Sequence, residues 1–167
     1  EDVEKILVSE EEIKEICKRL GEEISRDYAD KKLLLVSVLK GAVVFMADIM
    51  RNITCECEID FMAVSSYSNS KTTGVVKFKK DLDIDPDGRD ILIIEDILDS
   101  GITLSYLKNV LLQRNAASIK ICAFLDKPAN RQADITADYV GKVVPDEFVV
   151  GYGLDYNEKY RNLPYVG

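Results

Sequence analysis

The chain has no histidine. Histidine titrates nearest neutral pH and is a frequent metal ligand, so any catalysis here falls to carboxylates, lysine, tyrosine, cysteine or a bound metal. Cysteine is scarce, and Cys55 and Cys57 form a C-x-C with no second pair at zinc-ligand spacing, which sets aside a zinc finger or ribbon. The alternation of Cys55, Cys57 and Ile59 reads instead as one buried strand face. No apolar run approaches membrane length and no secretory leader is evident; together with unpaired cysteines this leads to the expectation of a cytoplasmic protein. G-x-x-x-x-G-K-[ST] is missing, which removes the P-loop NTPases. G-x-G-x-x-G is missing too, because Gly151-x-Gly153 has neither a third glycine nor a helix behind it. Basic charge is in deficit: 22 Lys and Arg face 30 Asp and Glu, a net charge of −8. That balance disfavours a general nucleic-acid binder and leaves room for a small anion held by local donors.

What is present alternates between strand and helix signals. A length of 167 residues with 47% hydrophobic side chains suits one domain spanning 1–167 with a full core. Ser9 with Glu12 three residues on forms a capping-box pattern, and Ile13, Ile16, Cys17, Leu20 and Ile24 follow at helical spacing to about Tyr28. Residues 33–38 form a near-continuous apolar strand, followed by the turn Leu39-Lys40-Gly41 and an apolar helix over 42–50. Residues 55–65 alternate as a strand, 65–74 are polar and hydroxyl-rich, and 75–79 alternate again. This is an antiparallel excursion around a flexible loop, read either as plain surface or as a lid. Asp85-Pro86-Asp87-Gly88 is a turn. Further strands are expected over 119–125, closed by Asp126-Lys127-Pro128, and over 139–144. The pattern predicts an α/β fold with a mainly parallel, twisted sheet flanked by helices. Right-handed crossovers gather the C-terminal strand ends on one edge, so Lys40, Lys127, Asp155 and the stretch 95–103 should converge.

The stretch 91–104 organises the rest. Its apolar run 91–94 reads as a buried strand ended by Glu95 and Asp96. Asp99-Ser100-Gly101-Ile102-Thr103 then leads into a helix with Leu104, Leu107, Val110 and Leu111 on one face, ending near Asn115. A glycine-containing helix entry offers backbone N–H donors to a phosphate. Carboxylates beside such a site repel the phosphate unless they bind something else: sugar hydroxyls, a metal or a ring proton. A phosphoacceptor receiver domain also clusters carboxylates at strand ends, but its acidic pair lies early in the chain and its acceptor Asp stands at a separate strand.

Residues 91–103 resemble, at every constrained position, the thirteen-residue signature of the type I phosphoribosyltransferases: four apolar residues, two acids, two apolar residues, then acid-[ST]-Gly-x-[ST]. Leu39-Lys40-Gly41 is similar to that family's pyrophosphate loop, and Ser66-Tyr67 to the start of its mobile loop. Lys127 and Pro145-Asp-Glu-Phe-Val-Val-Gly-Tyr-Gly-Leu-Asp155-Tyr-Asn-Glu resemble the purine-binding side of its 6-oxopurine branch. The resemblance implies the family's fold, with a small hood built from the chain ends. It also implies purine salvage: transfer of the 5-phosphoribosyl group of 5-phosphoribosyl pyrophosphate to hypoxanthine, and by extension guanine, giving IMP or GMP and pyrophosphate.

Under the resemblance, Glu95 and Asp96 accept hydrogen bonds from the ribose hydroxyls. Asp99, Ser100, Gly101, Ile102 and Thr103 hold the 5′-phosphate, and Asp99 also takes the purine N7 proton as the base attacks. Leu39, Lys40, Gly41 and Arg161 hold pyrophosphate, and the Leu-Lys peptide of this turn is often cis in relatives. Lys127, Phe148, Val149 and Asp155 form the purine side: Lys127 bonds the O6 oxygen, Phe148 stacks on the ring, and Val149 reads it through its backbone. Phe148 also has an ordinary reading as core. Mg²⁺ is the implied cofactor, held by Asp155, Glu95 and Asp96. Homodimers or homotetramers are the implied assembly, with neither nucleic acid nor membrane as partner. Ile102 departs from relatives that carry Lys there. A regulator that binds the nucleotide without turnover and a pyrimidine-specific relative stand as alternatives; the acidic balance counts against the first and Lys127 with Phe148 against the second.

Overall fold

The computed structural model describes residue 3 and residues 5–66 and 76–167. Tyr67 of the expected mobile loop lies outside the described residues, and of Ser66 only the backbone falls within them.

Among the described residues, five parallel strands and one antiparallel edge strand form a single sheet. In chain order these are β1 (Leu33–Val38), β2 (Cys57–Ser66), β3 (Val76–Lys80), β4 (Asp90–Leu98), β5 (Ser118–Asp126) and β6 (Tyr139–Val143), in the spatial order β3-β2-β1-β4-β5-β6. Every residue of β1 is buried, which explains why it reads as an unbroken apolar run: both faces of a central parallel strand are covered. One face packs on α1 (Glu10–Asp27) and α2 (Val43–Met50), through residues such as Leu20, Ile24, Phe45, Leu92 and Phe124. The other face packs on α3 (Ile102–Gln113), through Val36, Ile93, Leu107 and Ile121.

The helix boundaries follow local chemistry. Ser9 caps α1 by accepting the Glu12 N–H at 3.2 Å, and Glu10, Glu11 and Glu12 fill its first turn. The second leg of the expected capping box is replaced: the Glu12 carboxylate accepts from Lys142 Nζ at 2.9 Å and so ties α1 to β6. The chain ends meet over residues 150–154 as a small hood. Val8 and Val166 exchange backbone hydrogen bonds of 3.1 and 3.0 Å, and Val150 and Gly167 exchange two of 2.9 and 2.8 Å.

Two strand readings need correction. Cys55, Cys57 and Ile59 do not form a buried face: both cysteines are half-buried, and Ile59 is 38% exposed. Strand β3 pairs with β2 only from Ala63 onward, so the first half of β2 is a sheet edge open to solvent. In β4, Glu95 and Asp96 do not end the strand. It continues to Leu98, because β5 keeps pairing with it through Ile97↔Leu125 and Leu98↔Asp126. On the other side, the last β1 partner of β4 is Ile94. The acids therefore stand where β4 runs past β1, at the C-terminal edge of the sheet.

Candidate active site

Four segments meet at that edge. The first is the end of β4 and the loop after it. Backbone N–H groups fold onto the acids: Asp96 N donates to Glu95 Oε1 at 3.0 Å, and Ile97 N to Asp96 Oδ1 at 2.7 Å. Burial, reinforced by the adjacent Asp96 charge, pushes the Glu95 carboxyl well above the ordinary glutamate range. Gly101, at φ 82°, caps α3 without a side-chain capping bond, and Ser100 Oγ accepts the Ile102 N–H at 3.4 Å. The left-handed backbone there favours glycine, and an added Cβ would strike Ile135. A depression of about 160 Å³ opens over Glu95, Asp99, Ser100, Gly101 and Thr103. It lies at the first turn of α3, where helix N–H groups favour an anion.

The second segment is the turn after β1. The Leu39–Lys40 peptide is cis. Gly41 lies against three other pieces of the site: a Cβ added there would collide with Asp96 Oδ2 and come within 3.2 Å of Gly153 O and 3.3 Å of an Arg161 guanidinium nitrogen. The third segment carries Arg161 and Asp155. Arg161 donates to Gly153 O at 2.6 Å and lies 3.6 Å from Asp155 and 3.2 Å from Glu158, while Lys40 Nζ also donates to Glu158, at 3.1 Å. These two cations hold the Glu158 carboxyl below the ordinary glutamate range.

The fourth segment follows β5. Lys127 is buried, at 8% exposure, with Nζ 3.8 Å from Asp99 Oδ2 and 3.9 Å from Asp146 Oδ1. Phe148 is 71% exposed and meets Tyr156 edge-on at 5.8 Å, which overturns its reading as core. Val149 beside it is buried. A wider cleft of about 460 Å³ opens on the hood beside Phe148 and Val149, with neither Glu95, Asp96 nor Asp99 in its lining.

The geometry gathers an acidic pair, an anion cradle at a helix start, two cations near a tight glycine turn, and an ammonium beside a carboxylate. The profile of the phosphoribosyl transferase domain family matches residues 5–157. This chain belongs to the phosphoribosyltransferase family. It is 59% identical over 167 residues to a hypoxanthine-guanine phosphoribosyltransferase of Bacillus subtilis, covering 99% of this chain and 93% of that protein. A crystal structure of a hypoxanthine phosphoribosyltransferase from Staphylococcus aureus superposes with a TM-score of 0.95 at 51% identity, over 99% of this chain and 92% of that one. A hypoxanthine-guanine phosphoribosyltransferase from Bacillus anthracis gives a TM-score of 0.96 at 45% identity, over 99% and 98%.

For a phosphoribosyltransferase, the unexpected part of the site is the segment after Lys127. Pro128–Asn130 forms a 3₁₀ turn. Beyond it, Gln132 N and Ala133 N both donate to Ser100 O, at 2.9 and 3.1 Å. Arg131 donates to Asp99 O at 3.0 Å and Leu98 O at 3.4 Å, and it is ion-paired with Asp126. Sequence reasoning marked Lys127-Pro128 as a strand stop and assigned nothing to the polar residues after it. Glu158 was likewise read only as part of a similar stretch. Arg and Glu in polar loops look alike whether they face solvent or a neighbouring loop.

Proposed function

We propose that this chain transfers the 5-phosphoribosyl group from 5-phosphoribosyl pyrophosphate to hypoxanthine and guanine, in purine salvage. The observation that carries the reading is the buried Lys127 ammonium standing 3.8 Å from the Asp99 carboxylate. A 6-oxopurine presents O6, an acceptor, next to N7–H, a donor. An ammonium donor beside a carboxylate acceptor complements that edge, whereas adenine offers an amino group at position 6 and would leave Lys127 facing a donor.

In the reaction the purine N9–C1′ bond forms as the C1′–oxygen bond to pyrophosphate breaks, and the electron pair leaves with pyrophosphate. The N7 proton passes to Asp99. Glu95 and Asp96 accept from the ribose hydroxyls and place negative charge near a ring that develops positive charge. The Asp99, Ser100, Gly101, Ile102 and Thr103 loop cradles the 5′-phosphate with backbone N–H groups and hydroxyls. Lys40 in the turn Leu39-Lys40-Gly41, with Arg161, receives pyrophosphate. Phe148 covers the purine face, Val149 reads its edge, and Asp155 borders the purine and pyrophosphate sides. Ser66 and Tyr67 begin the loop assigned to close over the site.

Magnesium fits this set of oxygen donors. Among the described residues no three carboxylate or cysteine side chains converge as a metal cage. Mg²⁺ does not need one, since it keeps waters and takes one or two carboxylates together with substrate phosphates. Glu95, Asp96 and Asp155 are the residues that would hold it, and bound Mg²⁺ would offset charge on the leaving pyrophosphate. Assembly as a homodimer or homotetramer belongs to the same reading, with 1–167 acting as one phosphoribosyltransferase domain.

The test combines the protein with 5-phosphoribosyl pyrophosphate, Mg²⁺ and one base at a time, with release of pyrophosphate as the readout. Hypoxanthine and guanine are expected to turn over, adenine and uracil not. Absence of turnover with every purine would overturn the proposal.

A further inference from the structure

Asp99 has a side-chain partner besides Lys127. Asn130 Nδ2 donates to Asp99 Oδ1 at 2.5 Å, across 31 positions of sequence. The amide orientation follows from charge: the alternative would set its carbonyl oxygen against a carboxylate. One Asp99 oxygen is thus committed to Asn130, and the other, Oδ2, faces the Lys127 ammonium at 3.8 Å. Asn130 and Lys127 belong to one short turn, since Asn130 N donates to Lys127 O at 3.2 Å. Lys127 N in turn donates to Leu98 O at 2.9 Å.

We propose that Asn130 is a positioning residue for the base step: it fixes the rotation of the Asp99 carboxylate so that Oδ2 is presented to the purine N7–H while Lys127 takes O6. This inference rests on the reaction proposed above. A carboxylate at the start of a loop has a broad terminal torsion, which packing alone does not set. Proton transfer needs the accepting oxygen at hydrogen-bond distance in the correct direction. The Asn130 bond supplies that direction from the same turn that carries the purine-reading ammonium, so the O6 and N7 contacts are set together. The turn does not depend on the Asn130 amide for its own shape. Backbone bonds from Arg131 N to Pro128 O at 3.1 Å and from Gln132 N to Ser100 O at 2.9 Å hold it in place, with the Arg131 side chain on Asp99 O.

Two variants separate positioning from support. Asn130→Ala removes the donor; it should lower kcat with hypoxanthine by about 10- to 100-fold, the scale of a misaligned reacting group, with KM for 5-phosphoribosyl pyrophosphate changed less than about 2-fold. Asn130→Asp keeps the shape but puts a second carboxyl against Asp99. Two carboxyls at that distance do not both ionise, so the acid limb of the kcat profile of this variant should lie at higher pH than that of the wild type. An aza-substituted purine with a more acidic imidazole N–H needs less help from a base, so its turnover should fall less in Asn130→Ala than that of hypoxanthine.

Wild-type turnover in Asn130→Ala, an acid limb unmoved in Asn130→Asp, or equal losses across purines of different N–H acidity would each overturn the positioning role and leave the transferase reading intact. A wild-type protein inactive on every purine would remove the transferase reading itself, and the role of Asn130 with it.

Discussion

The two halves of the site are built differently. On the side of Asp99 and Lys127, main chain holds main chain: Lys127 N bonds Leu98 O at 2.9 Å, and Gln132 N and Ala133 N converge on Ser100 O at 2.9 and 3.1 Å. On the side of Lys40 and Arg161, exposed side-chain ion pairs join the backbone bonds, which include Arg161 with Gly153 O at 2.6 Å. The Lys40–Glu158 contact at 3.1 Å joins groups that are 71% and 62% exposed. The first half is shaped before any ligand arrives, as preorganised electrostatic catalysis requires. In the second, a carboxylate of the chain itself occupies the cations that the proposed function assigns to pyrophosphate. Exposed ion pairs of this kind are weak enough to yield to a more highly charged anion. The half assigned to chemistry is rigid, and the half assigned to the leaving group is exchangeable.

The largest effect should come from the rigid half. Asp99→Asn removes the proposed proton acceptor and should lower kcat by about 10²- to 10⁴-fold. Binding of 5-phosphoribosyl pyrophosphate, measured by calorimetry, should change little, because Ser100, Gly101 and Thr103 remain. Unchanged turnover would end the base role of Asp99. Lys127→Ala comes next. A hydrogen bond to a charged group contributes about 1.5–3 kcal/mol, so kcat/KM for hypoxanthine should fall by roughly 10- to 150-fold and the preference over adenine should narrow. Equal losses for both bases would show that Lys127 supports the loop without reading O6.

The same contrast governs what the sequence disclosed. Residues 33–38 and 121–125 were legible as strands because burial on both faces of a parallel sheet leaves an apolar run. The Ser100-Gly101-Ile102-Thr103 helix entry was legible because a left-handed glycine before a helix start has fixed local chemistry. The end of β4 was not, since pairing with β5 carries the strand past the last β1 partner, Ile94. Cys57 is only half-buried for a related reason: alternation does not reveal that the first half of β2 pairs with β1 alone, leaving its other edge without β3. Convergence of Lys40, Lys127 and β4 followed from the topology rule. The bond from Asn130 to Asp99 did not, because it depends on how a turn of only three residues folds back after β5.

Rigidity in the first half has an electrostatic cost that a stability measurement can expose. Burial and the Asp96 charge raise the Glu95 carboxyl above the glutamate range, so the folded chain binds this proton more readily than the unfolded chain. The stability associated with the protonated form is complete below the ordinary glutamate pKa, about 4.3. It is lost as pH rises through the higher folded value. Glu95→Gln should therefore raise the melting midpoint at neutral pH without divalent cations. The advantage should shrink toward zero as pH falls below the ordinary glutamate range. A variant no more stable than the wild type at neutral pH would mean that the acidic pair is not strained in the free protein.

The smallest effect should come from the exchangeable half, and its direction is the sharper test. Glu158 stands against Lys40 and Arg161 at 3.1 and 3.2 Å. If it competes with the diphosphate, Glu158→Gln should strengthen inhibition by pyrophosphate and lower KM for 5-phosphoribosyl pyrophosphate, each by about 2- to 3-fold at low salt. Both effects should fade as ionic strength screens exposed charges. If Glu158 instead holds Lys40 and Arg161 in a receptive arrangement, the same variant should raise both constants. Loss of the negative charge thus moves KM in opposite directions under the two accounts, and a fall in KM requires that the cations be available without their internal partner.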